Sequence, residues 1–176
     1  MSRIAVTGHI RLTRGTAALV SAALTAALRL RAAGRRGAVH GVTCLARGAD
    51  QIFAHAVLAV EGTFEVVLPA LDYPDRIGTG RHRAEFDDLL DRASGVEVLR
   101  YERSCRQAYR AASEAMLARC DVLFAVWDGL PSRRVGDTAD VVAAARRRRV
   151  PVEVFWPAGA RRLSRGECAP ARRCRR

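Results

Sequence analysis

The stretch CDVLFAVWDGLPSRRVGDTADVVAAA, from Cys120 to Ala145, decides the fold. Its apolar run Val122–Val126 lacks the polar alternation of a half-exposed strand, so it reads as a strand buried on both faces of a sheet. The run ends in Trp127-Asp128-Gly129, and after a loop the triplet Gly136-Asp137-Thr138 opens a segment of helical periodicity. A buried strand, a small-residue loop and a helix start together make an anion site. The first N–H groups of the helix have no intrahelical partners, and the helix dipole favours negative charge there. In an open parallel sheet the carboxyl ends of the strands form the ligand-binding edge. The stretch therefore points to a phosphate-bearing small molecule.

The same alternation runs outward in both directions. Short apolar runs at 3–7, 39–45, 64–68, 96–101, 121–127 and 151–156 read as strands. Amphipathic segments at 16–33, 49–61, 79–93, 105–119 and 138–149 read as helices. That order predicts an α/β fold, a Rossmann-like three-layer sandwich with a mostly parallel central sheet. The first and fifth strands, apolar throughout, are expected at its centre. Thr16 is the expected N-cap of the first helix, with Gly34 just past its end, and Gly62 closes the second.

At 176 residues and 49% hydrophobic, the chain can bury one sizeable core. One domain over residues 1–157 is expected, followed by an Arg-rich, flexible tail over 158–176. No apolar run approaches the roughly 20 residues that span a bilayer, and residues 4–6 enter a strand without a signal-peptide pattern. A cytoplasmic location and no membrane partner are therefore expected. The five cysteines (Cys44, Cys105, Cys120, Cys168, Cys174) are odd in number and lack C-x-x-C spacing. They support neither a disulfide framework nor a zinc site, and no metal or cofactor is expected.

All 30 basic residues are arginine, and the formal net charge is +12. The excess is concentrated after residue 145, where 11 arginines face only Glu153 and Glu167. The rest of the chain carries a net of only +3, too little for an extended nucleic-acid groove. The tail can contact nucleic acid nonspecifically or remain a solvated extension.

Four segments fall at strand ends where one site can collect them. The first holds Thr7, Gly8, His9 and Arg11: Gly8 lets the backbone turn tightly, and Thr7 and Arg11 can contact phosphate. His9 is a ligand contact or a loop-capping hydrogen bonder. Neither G-K-[ST] nor G-x-G-x-x-G is present, which argues against P-loop and dinucleotide-dehydrogenase chemistry. The second segment is Arg47-Gly48-Ala49-Asp50, where Asp50 suits a helix N-terminus as well as it suits a ligand. In the third, Asp72 and Tyr73 can hold a ribose or stack on a base, or Tyr73 can anchor the loop before Pro74. The fourth is the opening stretch, with Asp128, Gly129, Gly136, Asp137, Thr138 and Asp140. Its carboxylates oppose an incoming phosphate unless arginines compensate; Arg11, Arg83, Arg133 and Arg134 are the candidates.

Taken in order, VTGHI-R, LARGAD, LPALDY, RCDVLFAVWDG and GDTADVVAAARRRRVPVEVFWP resemble the SLOG superfamily. These are Rossmann-like nucleotide-binding domains related to the Lonely Guy (LOG) phosphoribohydrolases and the DNA-processing DprA/Smf proteins. The resemblance covers about Arg3 to Pro157 and implies a nucleotide or nucleotide-derived ligand over Gly8, Gly48 and the turn at Gly136, Asp137 and Thr138. It departs from the LOG pattern P-G-G-x-G-T-x-x-E: three residues past Thr138 stands Val141, which is neither acid nor base. Asp140 is one place early, about 100° around the helix.

Three functions follow from the resemblance. The first is binding or sensing of a nucleotide, including ADP-ribose-like or cyclic species. The second is a LOG-like N-glycosidase acting on nucleoside monophosphates, with Asp140 or Asp128 as the catalytic carboxylate. The third is DprA-like DNA binding through the arginine tail. A homodimer is compatible with each.

Overall fold

The computed structural model describes residues 1–33, 38–131 and 137–163. Six strands form one sheet: β1 (Ser2–Gly8), β2 (Val39–Thr43), β3 (Thr63–Leu68), β4 (Gly95–Val98), β5 (Val122–Val126) and β6 (Val152–Val154). Their order is β4-β3-β2-β1-β5-β6, and every neighbouring pair is parallel. The helices are α1 (Arg14–Ala32), α2 (Ala49–Ala59), α3 (Tyr73–Arg76), α4 (Arg81–Asp91), α5 (Arg106–Leu117) and α6 (Thr138–Arg147).

Side chains alternate across the sheet, so each central strand feeds two cores. Ile4 and Val6 of β1, with Val122, Phe124 and Val126 of β5, pack under Val20, Leu24 and Leu28 of α1 and Phe53 and Val57 of α2. Ala5, Leu123 and Ala125 face the other layer, against Ala112 and Met116 of α5 and Val141, Val142 and Ala145 of α6. This is the three-layer α/β sandwich that the uninterrupted apolar runs predict. Phe53 and Phe124 are fully buried, edge to face, with ring centroids 6.2 Å apart. Burying each contributes about 1.5–3 kcal/mol.

The chain steps from β1 through β2 and β3 to β4, and α5 then returns it to β5 on the other side of β1. The direction of winding therefore reverses between β1 and β5. At such a switch point the loops after the two strands diverge and leave a crevice at their carboxyl ends.

Several boundaries differ from the sequence expectation, each for a local reason. β2 stops at Thr43 because the Thr43 hydroxyl accepts the Leu45 amide (3.0 Å) and Leu45 turns left-handed at φ 53°. β4 stops at Val98; beyond it the Tyr101 carbonyl accepts the Leu71 amide at 2.9 Å and ties the segment to the β3 loop. The N-cap of α1 is Thr13, whose hydroxyl accepts the Thr16 amide at 3.1 Å, so Thr16 lies inside the helix. Gly34 lies outside the described residues. At the end of α2 the left-handed residue is Glu61, at φ 56°. Gly62 follows it and donates to Val57 (3.0 Å), completing a Schellman turn. A Cβ on Gly62 would stand 2.9 Å from the Val39 carbonyl oxygen, which is why a glycine fits there. α3 is a single turn that the apolar periodicity does not signal, started by Pro74.

The ordered chain also runs past residue 157. The Leu163 amide donates to the Arg11 carbonyl (3.1 Å), and Leu12 and Arg162 form an antiparallel bridge. Residues 158–163, expected at the start of the tail, are thus tied to the β1–α1 connection, and residues 164–176 lie outside the described part. Among the described residues, no helix is long and apolar enough to cross a membrane.

Candidate functional site

The crevice at the switch point is a cleft of about 1240 Å³. Thr7, Gly8, His9 and Arg11 line it from the end of β1, Arg47 and Asp50 from the β2–α2 connection, and Tyr73 from α3. Asp137, Thr138 and Val141 line it from α6. The switch-point geometry thus brings residues from all four sequence segments to one place. Gly136, Arg133 and Arg134 lie outside the described residues.

The two loop glycines serve close packing of the loops on each other. A Cβ on Gly8 would lie 2.4 Å from Ala49 Cβ and 2.7 Å from Val126 Cβ. A Cβ on Gly48 would lie 2.7 Å from the His9 carbonyl oxygen, and Gly48 also holds φ 81°. These contacts seat the start of α2 on the end of β1, with the Ala49 amide donating to the His9 carbonyl at 3.3 Å. Ala49 and Gly48 shape this wall without lining the cleft.

Asp50 follows in the first turn of α2 and is 5% exposed. Its Oδ2 accepts from the Thr43 hydroxyl (3.2 Å) and the Ala46 amide (3.4 Å). Burial nevertheless wins over these bonds and pushes its pKa up to about 7. Beside it, burial, with a smaller push from Asp50, raises the Cys44 thiol well above its usual value. Tyr73 is also buried, edge-on to Phe86 and Tyr109, and its hydroxyl is driven upward chiefly by burial. Cys44, Asp50, Tyr73, Tyr109 and Met116 thus give the cleft a largely apolar wall that carries one carboxyl group.

At the β1–β5 side, His9 and Asp128 interlock. The Asp128 amide donates to His9 Nε2 at 3.3 Å, and Asp128 Oδ1 stands 3.2 Å from the same nitrogen. Burial lowers the His9 pKa more than the charge and hydrogen bond of Asp128 raise it. Trp156 packs edge-on to the ring at 5.3 Å. Asp128 also accepts from the Leu130 amide (3.1 Å) and pairs with Arg162, whose Nε lies 2.8 Å from Oδ2. Asp128 does not line the cleft, whereas Arg162 does.

Three helices begin near this edge, and at each some first-turn amides have no acceptor among the described residues. Thr13 and the Arg161 carbonyl close the start of α1: the carbonyl accepts the Thr13 amide (3.4 Å) and the Thr16 hydroxyl (3.0 Å). At the start of α2 the His9 carbonyl accepts the Ala49 amide, while the Asp50 carboxyl bonds back to Thr43 and Ala46 and caps no α2 amide. At α6 the Asp137 side chain makes no capping bond, and among the described residues nothing accepts from the Thr138 and Ala139 amides.

The remaining candidate residues lie outside the cleft. Asp72 ties two loops together, accepting the Ser104 amide and hydroxyl, both at 2.6 Å; the Ser104 hydroxyl leads in holding its pKa down. Arg83 pairs with Asp87 at 2.8 Å and reaches the Pro74 carbonyl at 3.3 Å. Gly129 supplies a left-handed turn at φ 80° after β5. Asp140 is exposed on α6 and does not line the cleft, whereas Val141 does. Among the described residues, no group of three or more metal-ligating side chains comes together.

Sequence reasoning missed Arg162, Tyr109 and Met116. Tyr109 and Met116 sit at helical spacing on α5, which crosses behind the cleft, and they read as ordinary core. Arg162 lies in a segment with no periodicity at all.

No protein-family model matches the chain, and no curated protein sequence matches it either. Solved structures do. DNA processing protein A (DprA) of Streptococcus pneumoniae superposes with a TM-score of 0.63 at 16% identity, over 90% of this chain and 52% of that one. The chain shares the fold of the matched part of that protein. DprA of Helicobacter pylori, whose structure concerns its single-stranded DNA binding, gives 0.62 at 18% identity, over 90% of this chain and 67% of that one. The structural-genomics target TM1055 gives 0.54 at 15% identity, over 86% of this chain and 72% of that one. The chain spans about half the length of the first of these and two thirds of the second. The shared fold agrees with the SLOG resemblance of the motifs.

Proposed function

We propose that this chain binds a 5′-phosphorylated nucleotide, or a molecule derived from one, in the cleft at the switch point. It acts as a sensing or sequestering module rather than a hydrolase. The observation that carries this reading is the convergence of Arg11, Arg47 and the start of α6 on one cleft. Thr138 and Ala139 line the cleft at that start, and their amides have no acceptor among the described residues. An anion at that start gains two N–H donors and the helix dipole. Arg11 and Arg47 line the same cleft as Asp137 and supply it with positive charge. The apolar wall with Tyr73, Tyr109 and Met116 suits a flat ring, and Asp50 beside it suits a hydroxyl or amino donor.

Hydrolysis finds no support in the same cleft. N-glycosidic cleavage needs a carboxylate against the ribose. The position that the LOG resemblance assigns to it is Val141, an aliphatic side chain facing the cleft. Thermal-shift screening of the full chain against a nucleotide panel tests the binding reading. Ligand at 100 times its Kd adds about 2.7 kcal/mol of stability, a clear rise in Tm. A panel with no shift at millimolar concentration rejects it.

A second reading, single-stranded DNA binding, is favoured by the likeness to the Helicobacter pylori DprA fold. Binding that falls steeply with salt and requires residues 164–176 would establish it over the first.

A further inference from the structure

The last described segment of the chain belongs to the cleft. After β6, residues 157–163 cross the start of α1, and their backbone is fixed at three successive positions. Arg161 donates its amide to the Thr16 hydroxyl (2.7 Å) and accepts that hydroxyl's proton at its carbonyl (3.0 Å). Arg162 bridges Leu12, and the Leu163 amide donates to the Arg11 carbonyl (3.1 Å). A backbone held this way fixes the point from which the Arg162 side chain extends.

That guanidinium lines the cleft and is 44% exposed, with Nε 2.8 Å from Asp128 Oδ2. Asp128 is only 10% exposed, and its other oxygen is fixed by the Leu130 amide. The carboxylate is therefore a firm mount for one edge of the arginine. A guanidinium has five N–H donors, and one carboxylate edge does not exhaust them.

We infer that Arg162 is a ligand-binding residue, forming with Arg11 a two-arginine clamp on the phosphate of a 5′-nucleotide, and that Asp128 is the positioning residue that aims it. This rests on the nucleotide reading above and assigns part of the specificity to the carboxyl-terminal segment. Without a phosphate group, a nucleoside has nothing for the clamp to hold.

The test titrates the full-length chain with 5′-AMP and with adenosine by calorimetry, for the unaltered protein, Arg162→Ala and Arg162→Lys. NMR titration of the His9 ring runs alongside on each. Loss of a charge-assisted bond predicts AMP binding weakened about 10- to 150-fold in Arg162→Ala. Adenosine binding stays within about twofold, and Arg162→Lys restores only part of the AMP affinity, since lysine lacks the planar fork. Because Arg162 lowers the His9 pKa, its removal raises that pKa, which shows that the segment is seated as described. If the His9 pKa rises while AMP affinity is unchanged, Arg162 serves only to neutralise Asp128 and the inference is overturned. Equal weakening of AMP and adenosine overturns it too, as a purely structural effect. Failure of the unaltered protein to bind either compound removes the nucleotide reading itself, and the clamp with it.

Discussion

Asp50→Asn keeps the shape of a buried side chain and an acceptor for Thr43 and Ala46, but removes its charge. In the folded chain burial raises the Asp50 pKa from 3.8 to about 7, against the opposing hydrogen bonds of Thr43, Ala46 and Cys44. Below about pH 4 the carboxyl is protonated in both folded and unfolded chains and carries no penalty. Between about pH 4 and pH 7 the unfolded chain ionises first, so stability falls as pH rises. Above pH 7 the full cost is present, about 4 kcal/mol at 1.36 kcal/mol per pKa unit. The asparagine variant is free of this cost. Urea unfolding of both proteins at about pH 4 and pH 8 should show the variant gaining about 4 kcal/mol relative to the parent across that interval. A difference that stays flat with pH would refute the burial of Asp50 and the dry wall built around it.

Other outcomes follow from the same geometry. Gly8→Ala forces a methyl group into Ala49 and Val126, both on rigid elements, and should destabilise the fold by about 1–3 kcal/mol or more; an unchanged Tm would show that the β1–α2 contact is looser than described. Arg11→Ala should weaken binding of a 5′-nucleotide by about 1.5–3 kcal/mol, and undiminished affinity by calorimetry would mean the phosphate lies elsewhere. The purified protein should release no free base from AMP over many hours by chromatography. Adenine that accumulates over many turnovers and is lost in Asp140→Asn would turn the account toward an N-glycosidase.

The central architecture was legible because local and global signals agree there. Val122–Val126 is apolar at every position since β5 has helices on both faces, and its short length and the Asp128-Gly129 that follow favour a strand over a buried helix. The same logic led from Gly8, Gly48 and Thr138 to one sheet edge. Contacts set by tertiary geometry were not legible. Nothing near Asp128 in the sequence announces that its partner is Arg162, 34 positions later, nor does Asp72 announce Ser104. Thr13 and Thr16 are both good capping residues, and the choice between them depends on Arg161 arriving to bond Thr16. The packing role of Gly8 was hidden as well, because the neighbours that forbid a side chain come from α2 and β5.

The most direct measurement is a crystal structure of the chain grown with 5′-AMP. The account predicts a phosphate within about 3.2 Å of the Thr138 and Ala139 amides, Arg11 beside it, and the base along the wall of Tyr73 and Tyr109. Nucleotide density away from the start of α6, or a cleft that stays empty at saturating AMP, would contradict it.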